Sequence, residues 1–348
     1  MRYYEIIITP SEASLANGGT SFTPRVYSSQ NLANLPNMSA LRVDLDIYQS
    51  FAHVPSQNGL VTIYGIPFSD INQAANFNLA TVSIKLGTVK GLPFSPGVNG
   101  VVIEGTILMA YGNWQATDVR LNLVIIASKN NVATSASGSA PLAIAAPNLA
   151  FSWEPNTSLF SAVTDCLYTA YGADIDIEGI YDPTLVHSQT VPITGHYDSL
   201  SQFSKFIYKT SKAVKANNPN YLGATITETK DGFFLFDGTY TEPPKVKNIA
   251  YTDIVGNLTW KNIATVQAKL IMRSDLTVND LISFPFYAPT VNVAIQAGGQ
   301  RGKISFDGLF NITELRHAGS SRHPDANSWV TIIEATMHNP SVIGSPVI

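Results

Sequence analysis

The chain has 348 residues, of which 45% are hydrophobic and only 13% charged, and its formal charge is -4. This apolar fraction excludes a disordered chain, and the acidic balance leaves no basic footprint for a phosphate backbone or an anionic membrane. The single cysteine, Cys166, excludes an internal disulfide and has no zinc-spaced Cys/His cluster beside it, so it reads as a small buried helix residue.

Much of the remaining polarity is uncharged: 26 asparagines stand beside 24 glycines, 20 prolines, 15 tyrosines and 16 phenylalanines. That mixture favours strands and turns. The N-terminus, Arg2-Tyr3-Tyr4-Glu5-Ile6-Ile7-Ile8, reads as a strand and not as a secretory signal. The longest apolar tract, Ala140 to Phe151, is broken by Pro141, Pro147 and Asn148, and falls short of the roughly 18 apolar residues of a membrane helix. A soluble protein made in a cytoplasm, with no membrane partner, is expected.

Residues 1–128 read as strands between turn clusters. LRVDLDIY (Leu41 to Tyr48) alternates like a half-buried strand, and LVTIYGI, TVSIKLG, VVIEGTILMAY and VRLNLVIIA follow. This spacing predicts an antiparallel sandwich or barrel, with Asp70 to Phe77 the one helical candidate. Residues 129–149, rich in Ser, Ala, Gly and Pro, read as a linker or arm.

Residues 150–245 form a predicted α+β region. A helix over Thr157 to Tyr171 has Asn156 or Thr157 as N-cap and Gly172 as C-cap, and a second runs from Ser199 to about Val214. The hairpin ATITET, Lys230-Asp231-Gly232, FFLFDG follows, and Glu242-Pro243-Pro244 marks a boundary. Residues 246–348 return to strands: TVQAKLIM, DLISFPF, VNVAIQA, KISFDGLFNITELRH and WVTIIEATM. The two β units end alike, each with an acid-Gly break (Glu104-Gly105, Asp307-Gly308), a polar loop and a long apolar strand, a weak internal repeat.

Motifs for chemistry fail on inspection. DIDIEG (Asp174 to Gly179) opens like a calcium loop, but Leu185 stands where the closing glutamate belongs and the Ile175/Ile177 alternation reads as a strand. Gly298, Gly302 and Lys303 are one residue short of a phosphate loop. His317, His323 and Asp325 in RHAGSSRHPDANSW read as a polar hairpin loop rather than a metal site, and Trp114, Trp153, Trp260 and Trp329 as core or interface packing. No nucleophile elbow, HExxH or dinucleotide fingerprint occurs, so no enzyme and no cofactor are expected.

The third region carries a recognisable ordering. Val255-Gly256 and Thr259-Trp260 precede Arg273 to Ile282 (RSDLTVNDLI), then Asp307 to His317 and Trp329 to Ala335. These phrases, and the first region's LVTIYGI, VSIKLGTVKGL, IEGTI and Gly112-Asn113-Trp114, resemble the baseplate hub proteins of contractile-tailed bacteriophages. The resemblance implies a mainly β protein with two tube-like antiparallel β-barrels, at 1–128 and 246–348, flanking a smaller α+β part. It implies a virion protein of the tail baseplate, assembled in the host cytoplasm as a homotrimer that matches a six-fold tail tube to a three-fold central spike. Its partners would be tube, spike and baseplate wedge proteins, with the tape measure a further candidate and DNA only passing through.

Low charge suits a chain whose surface is largely interface. The loops carrying Asn113, Trp114, Arg316, His317, Arg322 and His323 are the expected contacts between rings, because both precede a barrel's last long strand and should project from one end. Two other readings compete: a β-sandwich that binds carbohydrate or a receptor, and a tail-associated cell-wall hydrolase using Asp174/Asp176 or Asp275/Asp280.

Overall fold

A computed structural model describes residues 2–338 apart from 12–13, 16–20, 51–55, 90–97, 116–117, 128–147, 173–174, 189, 218–220, 222, 229–231, 239–244, 263, 286–305, 307 and 326–327. The expected arm up to residue 147, the strand VNVAIQA, the phosphate-loop glycines, Asp174, Asp307 and the Lys230-Asp231 turn fall outside those residues, whereas Leu149, the arm's last residue, already belongs to a strand. The fold is mainly β with a smaller α portion, as the sequence predicts.

The first unit runs β1 (Arg2–Thr9), β2 (Arg25–Ser28), β3 (Arg42–Ser50), β4 (Ser56–Tyr64), α1 (Phe68–Asn72), a 3-10 turn (Ala74–Phe77), β5 (Thr81–Thr88), β6 (Asn99–Gln115) and β7 (Asp118–Ile126). Alternation decides its faces: Val43, Leu45 and Ile47 of β3 point inward with Val61, Ile63, Ile84, Leu121 and Leu123. Burial of each such side chain contributes about 1.5–3 kcal/mol, so the period-2 pattern fixes the register. The expected break at Glu104-Gly105 does not occur. Strand β6 continues through it, because a Cβ at Gly105 would lie 2.0 Å from the Ile126 carbonyl and only glycine admits that approach.

The middle unit contains β8 (Leu149–Trp153), α2 (Leu159–Tyr171), β9 (Asp176–Ile180), β10 (Ile193–Tyr197), α3 (Leu200–Val214), β11 (Thr225–Glu228) and β12 (Gly232–Phe236). The cap of α2 is Ser158, whose Oγ accepts from the Ser161 N–H at 3.1 Å. The expected caps fail for local reasons: Asn156 has φ 62, and the Thr157 hydroxyl donates to the Glu154 carbonyl. Gly172, at φ 99, ends the helix as predicted. Cys166 is buried in α2, which pushes its thiol up to about 12. Strand β9 pairs in parallel with β12 and exposes Asp176 and Glu178, so DIDIEG is a strand from Asp176 onward.

The third unit has β13 (Lys247–Asn248), a 3-10 turn (Tyr251–Asp253), β14 (Thr259–Trp260), β15 (Thr265–Ile271), β16 (Leu281–Ser283), β17 (Leu309–Ser320) and β18 (Trp329–Met337). Among the described residues no helix is long and apolar enough to cross a membrane.

The two β units share one 13-stranded sheet. Strand β17 pairs with β18 along one edge; on the other, its first residues meet β16 and Glu314–Ser320 meet β3 of the first unit. The units also repeat one strand order, β3-β4-β7-β6-β5-β1 in the first and β14-β15-β18-β17-β16-β13 in the third. Both long hairpins carry a bulge at the same place, Ile107/Met109 and Ile312/Glu314. They differ at the end of the series, where β1 runs antiparallel to β5 but β13 parallel to β16.

Candidate functional site

The ladder registers carry two hairpins to one end of the sheet. Arg42 opposes Tyr64, Tyr64 opposes Arg120, and Arg120 opposes Asn113, while Asp44 opposes Ser320. The β6–β7 hairpin with Asn113 and Trp114 and the β17–β18 turn with Arg322 and His323 therefore project together. Trp114 is 63% exposed and rests edge-on against Phe68, 5.1 Å away.

Between the hairpins lies a cleft of about 350 Å³ lined in part by Arg42, Tyr64, Asp118 and Arg322. The Arg42 and Arg120 guanidinium carbons lie 4.6 and 5.3 Å from the Tyr64 ring centre. Arg42 donates twice to Asp44, at 3.1 and 2.8 Å, and Arg120 donates to Asp118 at 3.0 Å. Burial opposes the charge on Asp44, but the hydrogen bonds from Arg42, Ser320 and Tyr64 and the Arg42 charge together outweigh it and hold the carboxyl below its ordinary range. Arg322 donates to the Ala40 carbonyl, and Arg2 crosses to the Ser320, His323 and Asp325 carbonyls.

Arg316 and His317 stand where the strand read as KISFDGLFNITELRH and the loop read as RHAGSSRHPDANSW overlap, and the structure gives them to the strand. Both belong to β17, not to the following loop, because the apolar alternation persists through His317 to the seam with β3. Arg316 donates to both Asp46 oxygens, at 2.7 and 2.5 Å, across that seam. His317 is 1% exposed with its Nδ1 3.0 Å from the Thr331 hydroxyl, and burial pushes its pKa down to about 3. His323 lies in the exposed turn, so the two histidines are not brought together; among the described residues no group of three acidic, His or Cys side chains could hold a metal.

Trp329 is the buried bolt of the seam. It belongs to β18, yet it packs into the first unit's core and its Nε1 donates to the Gly87 carbonyl at 2.9 Å. The Ser321 N–H donates to the Val43 carbonyl at 2.8 Å. Trp153 is fully buried against His187, and Trp260 stacks on Phe306.

A larger cleft of about 610 Å³ opens where the three cores meet, lined in part by Val101, Phe234, Phe236, Val278 and Asp280. Asp280 is held by Lys247 at 2.6 Å and Asp275 by Arg273 at 2.6 Å. This pair proposed for hydrolysis is thus consumed in ion pairs. Sequence reasoning passed over Arg42, Tyr64, Phe68 and Arg120. The available signal was Arg42-x-Asp44 and Asp118-x-Arg120, charge pairs two residues apart and hence on one strand face.

No protein-family model matches the chain, and no curated protein matches it. Among solved structures it is similar to a 43 kDa tail protein of prophage MuSo2 from Shewanella oneidensis, with 9% identity, 96% of each chain covered and a TM-score of 0.49. It is also similar to a tail protein from Neisseria meningitidis MC58, with 10% identity, 99% of each chain covered and a TM-score of 0.49. A third likeness is to a chain of the Francisella PdpA-VgrG complex, with 7% identity and a TM-score of 0.46. It spans all of this chain and 54% of that one.

Proposed function

We propose that this chain is a structural component of a contractile tail machine, a baseplate hub that works as a homotrimer and catalyses no reaction. The observation that carries the reading is the repeated strand order of two β units joined edge to edge in one sheet. A chain built this way presents two units of like strand order, and three chains present six. That is the arithmetic needed to match a six-fold tail tube to a three-fold spike. The low charge density and the exposed Trp114 fit a surface covered by neighbours. Baseplate wedge proteins would contact the outside of the ring, in the virion.

Solution mass and averaged electron images, with and without tube and spike proteins, test this. A three-fold ring of six-fold outline is expected, and a monomer that persists with both partners would contradict it. Trp114→Ala with His323→Ala should weaken assembly without lowering the melting temperature. The exposed Trp114 and Phe68 pair also favours a second reading, carbohydrate binding, which a blank glycan screen would remove.

A further inference from the structure

The strand correspondence says more than that copies assemble. Within the chain, the outer edge of β3 adds to the second half of β17. In the repeated order β3 corresponds to β14, and β17 corresponds to β6. We propose that the outer edge of β14 in one copy adds to the second half of β6 in a second copy, repeating between chains the joint that β3 and β17 make within one. This inference rests on the ring reading above and names the strands through which the ring closes.

Three observations carry it. First, β14 is the terminal strand of the sheet, with β15 on one side and no described strand on the other. Second, β6 is paired with β5 only over Asn99–Thr106, whereas its second half is paired with β7 alone among the described strands. The matching stretch of β17, Glu314–Ser320, is where β3 attaches. Third, the coincident bulges fix the register. Met109 opposes Val124 just past its bulge, as Glu314 opposes Glu334, so Gly112 corresponds to His317, Asn113 to Ala318 and Trp114 to Gly319.

The partner strand can be counted the same way. Leu60 opposes Val124, and Gln267 opposes Glu334; Asp46 opposes Leu60, and Thr259 opposes Gln267. Thr259 therefore corresponds to Asp46, which faces Ala318 within the chain. The copied joint sets Thr259 opposite Asn113 of the second copy and Trp260 opposite its Gly112. Lys261 falls opposite Tyr111, which is 43% exposed. At the bulge, Asn78 Oδ1 accepts the Ala110 N–H at 2.7 Å, so a side chain caps the first rung and the shared ladder begins at Gly112. A short ladder suits β14, which has two residues. An exposed strand edge is a template for another strand, and here its occupant is a second copy of the same chain.

The test is a cysteine pair. Opposed residues of antiparallel strands sit about 4.5–5.5 Å apart at Cα, within disulfide range, and the native Cys166 is buried and unreactive. Asn113→Cys with Thr259→Cys should give covalent trimers on oxidation of the assembled ring. Asn113→Cys with Val26→Cys, on the opposite terminal strand β2, should give none. Amide exchange in the unsubstituted protein is the second measurement. Gly112–Trp114 and Leu258–Trp260 should each slow at least about tenfold on assembly, the protection of a closed ladder.

A ring that forms without the Asn113/Thr259 cross-link and without slowed exchange at these edges overturns the inference and leaves the hub reading standing. Cross-linking through Val26 instead also overturns it. If no ring forms with or without tube and spike proteins, the hub reading fails and this inference fails with it.

Discussion

The first and third units trace one strand order with different means. The first has full-length strands and an aliphatic core, Val43, Ile47, Ile63, Ile84 and Leu123 among it. The third, among its described residues, has strands of two or three residues at β13, β14 and β16, and compensates with packed aromatics: Trp260, Phe284, Phe306 and Phe310. It also holds a buried ion cluster in which Arg273 donates to Asp253 at 3.0 Å and to Asp275 at 2.6 and 2.9 Å. A regular ladder specifies its own register. A short-stranded unit needs directional contacts to do the same work. The difference also makes the units unequal partners, since the third lends β17 and Trp329 to the first.

The sharpest way to break that loan is Trp329→Ala. It should cost about 3–5 kcal/mol for the cavity and about 1 kcal/mol more for the abandoned Gly87 carbonyl, read from urea unfolding. The first unit's core should loosen although the residue comes from the last strand. Next, Arg273→Met leaves Asp253, 2% exposed, without its cation and should cost about 3–5 kcal/mol. Adding Asp253→Asn should recover part of the loss, and if it recovers none the ion pair is not what orders the third unit.

His317 sharpens the comparison through pH. Its folded pKa of about 3 lies below the ordinary 6.5, so between these values the unfolded chain binds a proton that the folded chain refuses. This contribution to stability is complete above pH 6.5 and is lost as pH falls, by about 1.4 kcal/mol per unit or roughly 3 kcal/mol by pH 4.5. Unfolding free energies from urea titrations at pH 7.5 and 4.5 should differ by that much more in the unsubstituted protein than in His317→Asn.

Smaller effects belong to single contacts. Ser158→Ala removes the α2 cap and should cost about 1 kcal/mol in thermal unfolding. Arg316→Ala breaks a half-exposed ion pair over the seam and should cost under about 1 kcal/mol. A larger loss would show that the seam depends on this pair rather than on its backbone ladder and Trp329.

What could be read from the sequence follows from how local each signal was. WVTIIEATM forms β18 residue for residue, because unbroken alternation needs no tertiary help. The second helix, read from Ser199 to about Val214, was equally plain, and the structure makes Ser199 its cap. Strands β2, β8 and β10 were missed because they are four or five residues long, too short for a period of two to stand out from the flanking turns. The seam was invisible for a different reason: the strand through Arg316 and His317 is legible, but nothing local says that its partner is β3, some 270 residues earlier in the chain. Asn113 and Trp114 were reached by their position before a long strand, which is a topological clue. Arg42, Tyr64 and Arg120 come from three strands and meet only in the folded sheet.

Amide hydrogen exchange along Asp44–Ser50 and Glu314–Ser320 in the full chain tests the central claim, that two β units form one sheet, most directly. Protection at the bonded positions of this seam should equal that of the β4–β7 ladder and collapse together with it in rising denaturant. Seam amides that exchange as fast as the terminal strands β2 and β14, while each unit's own ladder stays protected, would mean two independent barrels and contradict the account.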